Sequence, residues 1–111
     1  MLLFRVHTLP SGLRVRVRLP HRGDTAGLVA LHERLDAPLS QLEARRLLRF
    51  DPRARAVVVA TAWIDGCEEF VGYASGTVDE GLLTVLADEA RAPGVSATLR
   101  GGLRERLLGV A

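Results

Sequence analysis

Arg91, Gly94 and Ser96 lie within TVLADEARAPGVSATLRGGLRERLL, the stretch from Thr84 to Leu108, and their types and spacing suit the handling of an anion. From Val95 onward the apolar positions Val95, Leu99, Leu103 and Leu107 recur every fourth residue, which predicts a helix with Gly94 at its mouth. The first amides of a helix have no partner within it, and the helix dipole points its positive end at them, so a phosphate fits there. Arg91, three residues before Gly94, could fold over such a phosphate and pair with it bidentately. The plainer alternatives are that Gly94 only turns the chain and that Arg91 lies in solvent. Ser96 either caps the helix or bonds a phosphate oxygen.

These residues need a scaffold to hold them. Residues 82–87 are apolar and predict a strand leading into the polar loop 88–93. Upstream, Leu13, Val15, Val17 and Leu19 alternate with Arg14, Arg16 and Arg18, which predicts a half-buried strand. Its arginine row is read as a solvated face, or as stems covering a helix. Met1 to Thr8 is a candidate first strand, with Leu9-Pro10-Ser11-Gly12 as a turn. Asp24 or Thr25 caps a helix running to about Leu35, with Leu28, Leu31 and Leu35 on one side. His32, mid-helix, is read as a satisfied surface histidine rather than a catalytic one. Ser40 and Glu43 form a capping box that opens a second helix burying Leu42 and Leu47 or Leu48. Phe50-Asp51-Pro52-Arg53 is a loop. Residues 56–64 are nearly all apolar and predict a central strand covered on both faces. Asp65-Gly66 is a hairpin signal, residues 68–75 return antiparallel, and 76–81 turns the chain again.

Composition narrows the classes. The 111 residues, 48% hydrophobic and 25% charged, suit one domain with one core. Aromatics are only 5%, so the core is aliphatic. All 15 basic residues are arginine, which reads as the coding bias of a GC-rich genome, and the net charge of +2 is small. A nucleic-acid binder is accordingly ranked last, and no nucleic-acid partner is expected. One cysteine, Cys67, excludes an internal disulfide framework and a multi-cysteine metal site; beside a turn, it reads as a small residue rather than a nucleophile. No metal site is expected. No apolar run approaches the ~20 residues of a membrane span. The opening MLLFRVH is too short and too soon charged for a secretory signal, so the expectation is a cytoplasmic protein with no membrane partner.

Arg91-Ala92-Pro93-Gly94-Val95-Ser96 resembles the acyl-CoA loop of the GNAT N-acetyltransferases, Gln/Arg-x-x-Gly-x-Gly/Ala, and Val85-Leu86-Ala87-Asp88-Glu89 resembles the strand that feeds it. Ser96 stands where the family has Gly or Ala, and Pro93 removes one loop donor. Gly23-Asp24, Arg49-Phe50 and Val71-Gly72-Tyr73-Ala74 also resemble that family, and the likeness spans roughly residues 13–108. It implies an α/β fold of GNAT type: a mixed, mainly antiparallel sheet flanked by helices, in the order β-α-α-β-β-β-α, without the family's C-terminal strands. Residues 1–12 are an extension or an extra strand of a single domain over 1–111.

The resemblance further implies acetyl-CoA as acyl donor, held by Leu86, Ala87, Arg91, Ala92, Gly94, Val95 and Ser96, with transfer to an amine. The weak candidates for the base are Glu69, Asp88 and Glu89. The latter two, at the helix entrance, serve equally well as dipole partners that compete with a phosphate. No residue corresponds to the family's general-acid tyrosine. The strand over 82–87 would present an apolar edge, which suggests a homodimer. The alternative function is an inactive remnant of the fold acting as a dimeric interaction or regulatory module.

Overall fold

The computed structural model describes residues 4–48, 56–77 and 81–107. Five strands form one sheet in chain order: β1 (Val6–Thr8), β2 (Arg14–Arg18), β3 (Ala56–Ile64), β4 (Cys67–Thr77) and β5 (Gly81–Ala87), every neighbouring pair antiparallel. Three α-helices accompany them: α1 (Thr25–Arg34), α2 (Gln41–Leu48) and α3 (Val95–Leu107). The sequence order of elements is reproduced, with β1 added along the outer edge of β2. Predicted features at Phe50-Asp51-Pro52-Arg53 fall outside the described residues, as does the middle of the turn after β4.

Period-two alternation divides the sheet between two cores. On one face Val15, Val17, Val58, Ala60, Ala62 and Ala74 pack against Val95, Leu99 and Leu103 of α3. On the other, Val59, Phe70 and Tyr73 pack against Leu28 and Leu31 of α1 and Ala44 of α2. The Asp65-Gly66 turn joins Ile64 to Cys67 with both turn residues in the left-handed region, φ +52° and +81°, as a type I′ hairpin requires.

Helix α1 ends in a Schellman cap. Asp36 is left-handed (φ +54°), and the Ala37 amide donates to the His32 carbonyl at 2.9 Å. Ser40 caps α2 as expected, the Glu43 amide donating to its Oγ at 3.1 Å, and the Glu43 carboxylate accepts from the Ser40 hydroxyl at 3.0 Å.

Four local expectations are corrected. His32 is buried, not a surface residue. It shares the stripe of Leu28, Leu31 and Leu35, and its ring is satisfied by Ala37 O at 2.6 Å and the Tyr73 hydroxyl at 3.2 Å. Leu42 is 58% exposed, and α2 inserts Ala44 instead, in the core that holds Leu28 and Leu31. Trp63 is 65% exposed, since β3 outruns the cover of α1 there. Finally, Asp24 gives α1 no side-chain cap. Its carboxylate instead accepts from the His21 amide at 2.8 Å and from both terminal nitrogens of Arg18. Arg18 therefore leaves the solvated row predicted for it, while Arg14 and Arg16 remain exposed.

Candidate functional site at the mouth of α3

The approach to α3 is set by a bulge in β4. Ala60 pairs with Gly72 and Thr61 with Phe70, so Val71 is the extra residue. The Val71 carbonyl then accepts the Asp88 amide at 2.8 Å, fixing the point where the chain leaves β5. Gly72 is required for this junction. A Cβ there would lie 2.6 Å from Leu99 Cδ1 and 2.8 Å from the Leu86 carbonyl oxygen.

Asp88 is buried and organises the loop that follows. Its Oδ1 accepts the Arg91 amide at 3.2 Å, its Oδ2 lies 3.6 Å from Arg34 Nε, and its carbonyl accepts the Ala92 amide at 2.9 Å. Arg34 comes from the end of α1 and also donates to the Phe70 carbonyl, tying that helix to the loop. Ala92 and Val95 are fully buried, in the core that also holds Leu9. Gly94 is left-handed at φ +93°, and Pro10 Cδ lies 3.3 Å from where its Cβ would be. The turn between β1 and β2 thus closes against the loop, a contact that nothing in the local sequence announces.

The amides at the mouth carry an anion of the chain's own. Glu89 accepts the Gly94 amide at 2.6 Å through Oε2 and the Ser96 amide at 3.1 Å through Oε1. The helix dipole favours a carboxylate here for the same reason that it favours a phosphate. Arg91 does not lie over these amides; its Nη1 meets Glu69 Oε2 at 2.6 Å. Leu86 and Ala87 take opposite faces of β5, Leu86 toward the α1 core and Ala87 toward the α3 core.

The structure therefore brings Asp88, Glu89, Arg91, Gly94 and Ser96 together, with Glu69 joined through Arg91. Each of the three carboxylates named as a base has a partner: Arg91 for Glu69, Arg34 and the Arg91 amide for Asp88, two helix amides for Glu89. Sequence reading missed Arg34 and Pro10 as members of the site. It recognised acid near the mouth without showing that Glu89 would bridge two amides. Among the described residues, no group of three or more His, Cys, Asp and Glu side chains gathers as a metal site, and no helix is long and apolar enough to cross a membrane.

No family model and no curated protein matches the chain. Among solved structures it is similar to the crystal structure of the GNAT domain of S. lividans PAT, with a TM-score of 0.59 and 23% identity over 93% of this chain and 73% of that one. The likeness is one of fold: a five-stranded antiparallel sheet between helices, in the arrangement of a GNAT domain.

Proposed function

We propose that this GNAT-fold domain seats the diphosphate of an acyl-CoA at the mouth of α3 and delivers the acyl group to an amine. One observation carries the reading, the likeness of fold to a GNAT domain; the Gly94 and Ser96 amides at the helix mouth are tied to the chain's own Glu89 carboxylate, which a diphosphate must displace. A diphosphate would take the same amides once the Glu89 side chain, which is exposed, swings out. The outer edge of β5, which pairs with no other strand among the described residues, would align the pantetheine arm along Leu86 and Ala87.

Acyl-CoA supplies a thioester carbonyl open to direct attack by an amine. The chain's contribution is orientation: amides for the charged end and a strand edge for the arm. As the amine forms the amide bond the C–S bond breaks and CoA leaves as the thiol; Glu69 and Asp88, each held by an arginine, and Glu89 are the candidates to take the amine's proton.

The Glu89 bridge also favours a second reading, in which the carboxylate stays in place and the domain is an inactive GNAT-fold module that associates through the edge of β5. A thermal-shift titration with acetyl-CoA separates the two. Binding to the native state adds about 2.7 kcal/mol at a hundredfold excess over Kd, and Gly94→Asp, compared with its own ligand-free midpoint, should abolish the shift. No shift in the wild type at millimolar acetyl-CoA selects the second reading.

A further inference from the structure

A second surface lies away from the α3 mouth, on the sheet face that α1 and α2 leave open. Arg16 pairs with Thr61, and the same register carried one step further sets Arg14 beside Trp63. Val15 and Ala62 point into the α3 core, so Arg14, Arg16 and Trp63 project from the opposite face. All three are exposed, Trp63 to 65%. Other arginines nearby are engaged: Arg18 by Asp24, Arg34 by Asp88 and Arg91 by Glu69. Glu68, paired with Trp63 across β3 and β4, is held by Arg18 at 3.6 Å and by the Thr61 hydroxyl at 3.3 Å; neither Arg14 nor Arg16 meets a carboxylate among the described residues, so their charge is available to a partner.

We infer that this face binds a single-stranded nucleic acid, with a base stacked on Trp63 and neighbouring phosphates on Arg14 and Arg16. An indole lying open on a flat antiparallel sheet is a stacking platform for any base. The two guanidinium groups stand on alternate residues of one strand, about 6.8 Å apart at the Cα level from a rise of ~3.4 Å per residue. That spacing lets each guanidinium meet a different phosphate of one strand. A second copy of this chain is a poorer occupant, because a two-fold contact centred here would bring Arg14 and Arg16 against their own copies. The small net charge limits the interaction to a few phosphates and does not remove it.

Trp63 is the chain's one tryptophan, so its fluorescence reports on this face alone. Titration of the full chain with a twelve-nucleotide oligo-dT should quench it. With two phosphates neutralised, a salt slope of about −1.4 is expected, an affinity roughly sevenfold weaker at 200 mM than at 50 mM salt. Arg16→Ala should halve the slope. Trp63→Ala, followed by anisotropy of a labelled oligonucleotide, should weaken binding at least fivefold, by about 1 kcal/mol or more of lost stacking. All three side chains are exposed, so the variants should keep the wild-type melting midpoint. Absence of quenching at millimolar oligonucleotide overturns the inference, as does binding that salt leaves unchanged. Equal quenching by poly-glutamate also overturns it, assigning the face to an acidic protein.

Discussion

Arg18 and Asp24 meet through two parallel hydrogen bonds of 2.9 Å each, beneath the start of α1. Asp24 is 3% exposed, and its carboxylate also accepts the His21 amide. The pair joins β2 to the short 3-10 turn at Arg22–Asp24 that launches α1, and the guanidinium lies 5.8 Å from the centre of the Phe70 ring. Burial pushes the Asp24 carboxyl up, but the hydrogen bonds from Arg18 and from the His21 amide, with the Arg18 charge, outweigh it and hold the group below the usual carboxylate range. Asp24 raises Arg18 against its own burial, with no consequence at accessible pH because arginine is charged throughout.

The pH dependence follows in sign. A carboxyl depressed in the folded state contributes stability that is complete above its unfolded pKa of about 4. It is lost as pH falls through the folded value. Urea midpoints should therefore hold between pH 7 and 5 and fall below pH 4, and Asp24→Asn should make that acid limb shallower. Asp24→Ala leaves Arg18 only the longer contact to Glu68, at 3.6 Å, and should cost about 3 kcal/mol at pH 7. An acid limb of equal steepness in Asp24→Asn would show that the pair does not form in solution.

Gly72→Ala should lower stability by roughly 1–3 kcal/mol, the usual range for overpacking. Two contacts are violated, and they differ in kind. Leu99 Cδ1, 2.6 Å from the added methyl, can be removed; the Leu86 carbonyl, at 2.8 Å, belongs to the backbone of β5. Leu99→Ala should therefore fail to rescue Gly72→Ala and should add its own cavity cost of about 2–5 kcal/mol. Restoration of the wild-type melting midpoint in the double variant would place the strain on the side chain alone.

His32 offers a spectroscopic check on the α1 core. Its Nδ1 faces the Ala37 carbonyl, which can only accept, so Nδ1 carries the proton and Nε2 accepts from the Tyr73 hydroxyl. Nitrogen-15 shifts of the neutral imidazole should report the Nδ1–H tautomer. Tyr73→Phe should remove the bond to Nε2 at a cost of about 1 kcal/mol. An Nε2–H ring in the wild type would reverse the assignment.

Much of this architecture was legible because it rests on local patterns. The alternation from Leu13 to Leu19, the Asp65-Gly66 turn and the four-residue stripe from Val95 each arise within a few residues, and each is realised. His32 was misread as a surface residue, although it falls four residues after Leu28 on the buried stripe. The exposed Trp63 was not, because its environment depends on where α1 stops covering the sheet. At the α3 mouth, glycine and acid were both visible in the chain. Their arrangement depends on loop closure, set by the Val71 bulge and by Pro10 arriving from the far end of the sequence.

The Glu89 bridge makes the two roles of the α3 mouth separable by measurement. As an internal cap, the carboxylate satisfies two amides that would otherwise face water, so Glu89→Ala should cost about 1 kcal/mol of stability. As a competitor, it adds negative charge where a diphosphate would sit, so its removal should strengthen anion binding. Melting curves with and without 10 mM pyrophosphate, an order of magnitude chosen to fill a weak anion seat, test both together. The variant should melt lower than wild type in buffer alone and gain more from pyrophosphate, because the ligand replaces the lost acceptor on the Gly94 and Ser96 amides. A variant that melts no lower in buffer would show that the bridge contributes nothing to folding. An equal gain in both proteins would show that pyrophosphate binds away from these amides.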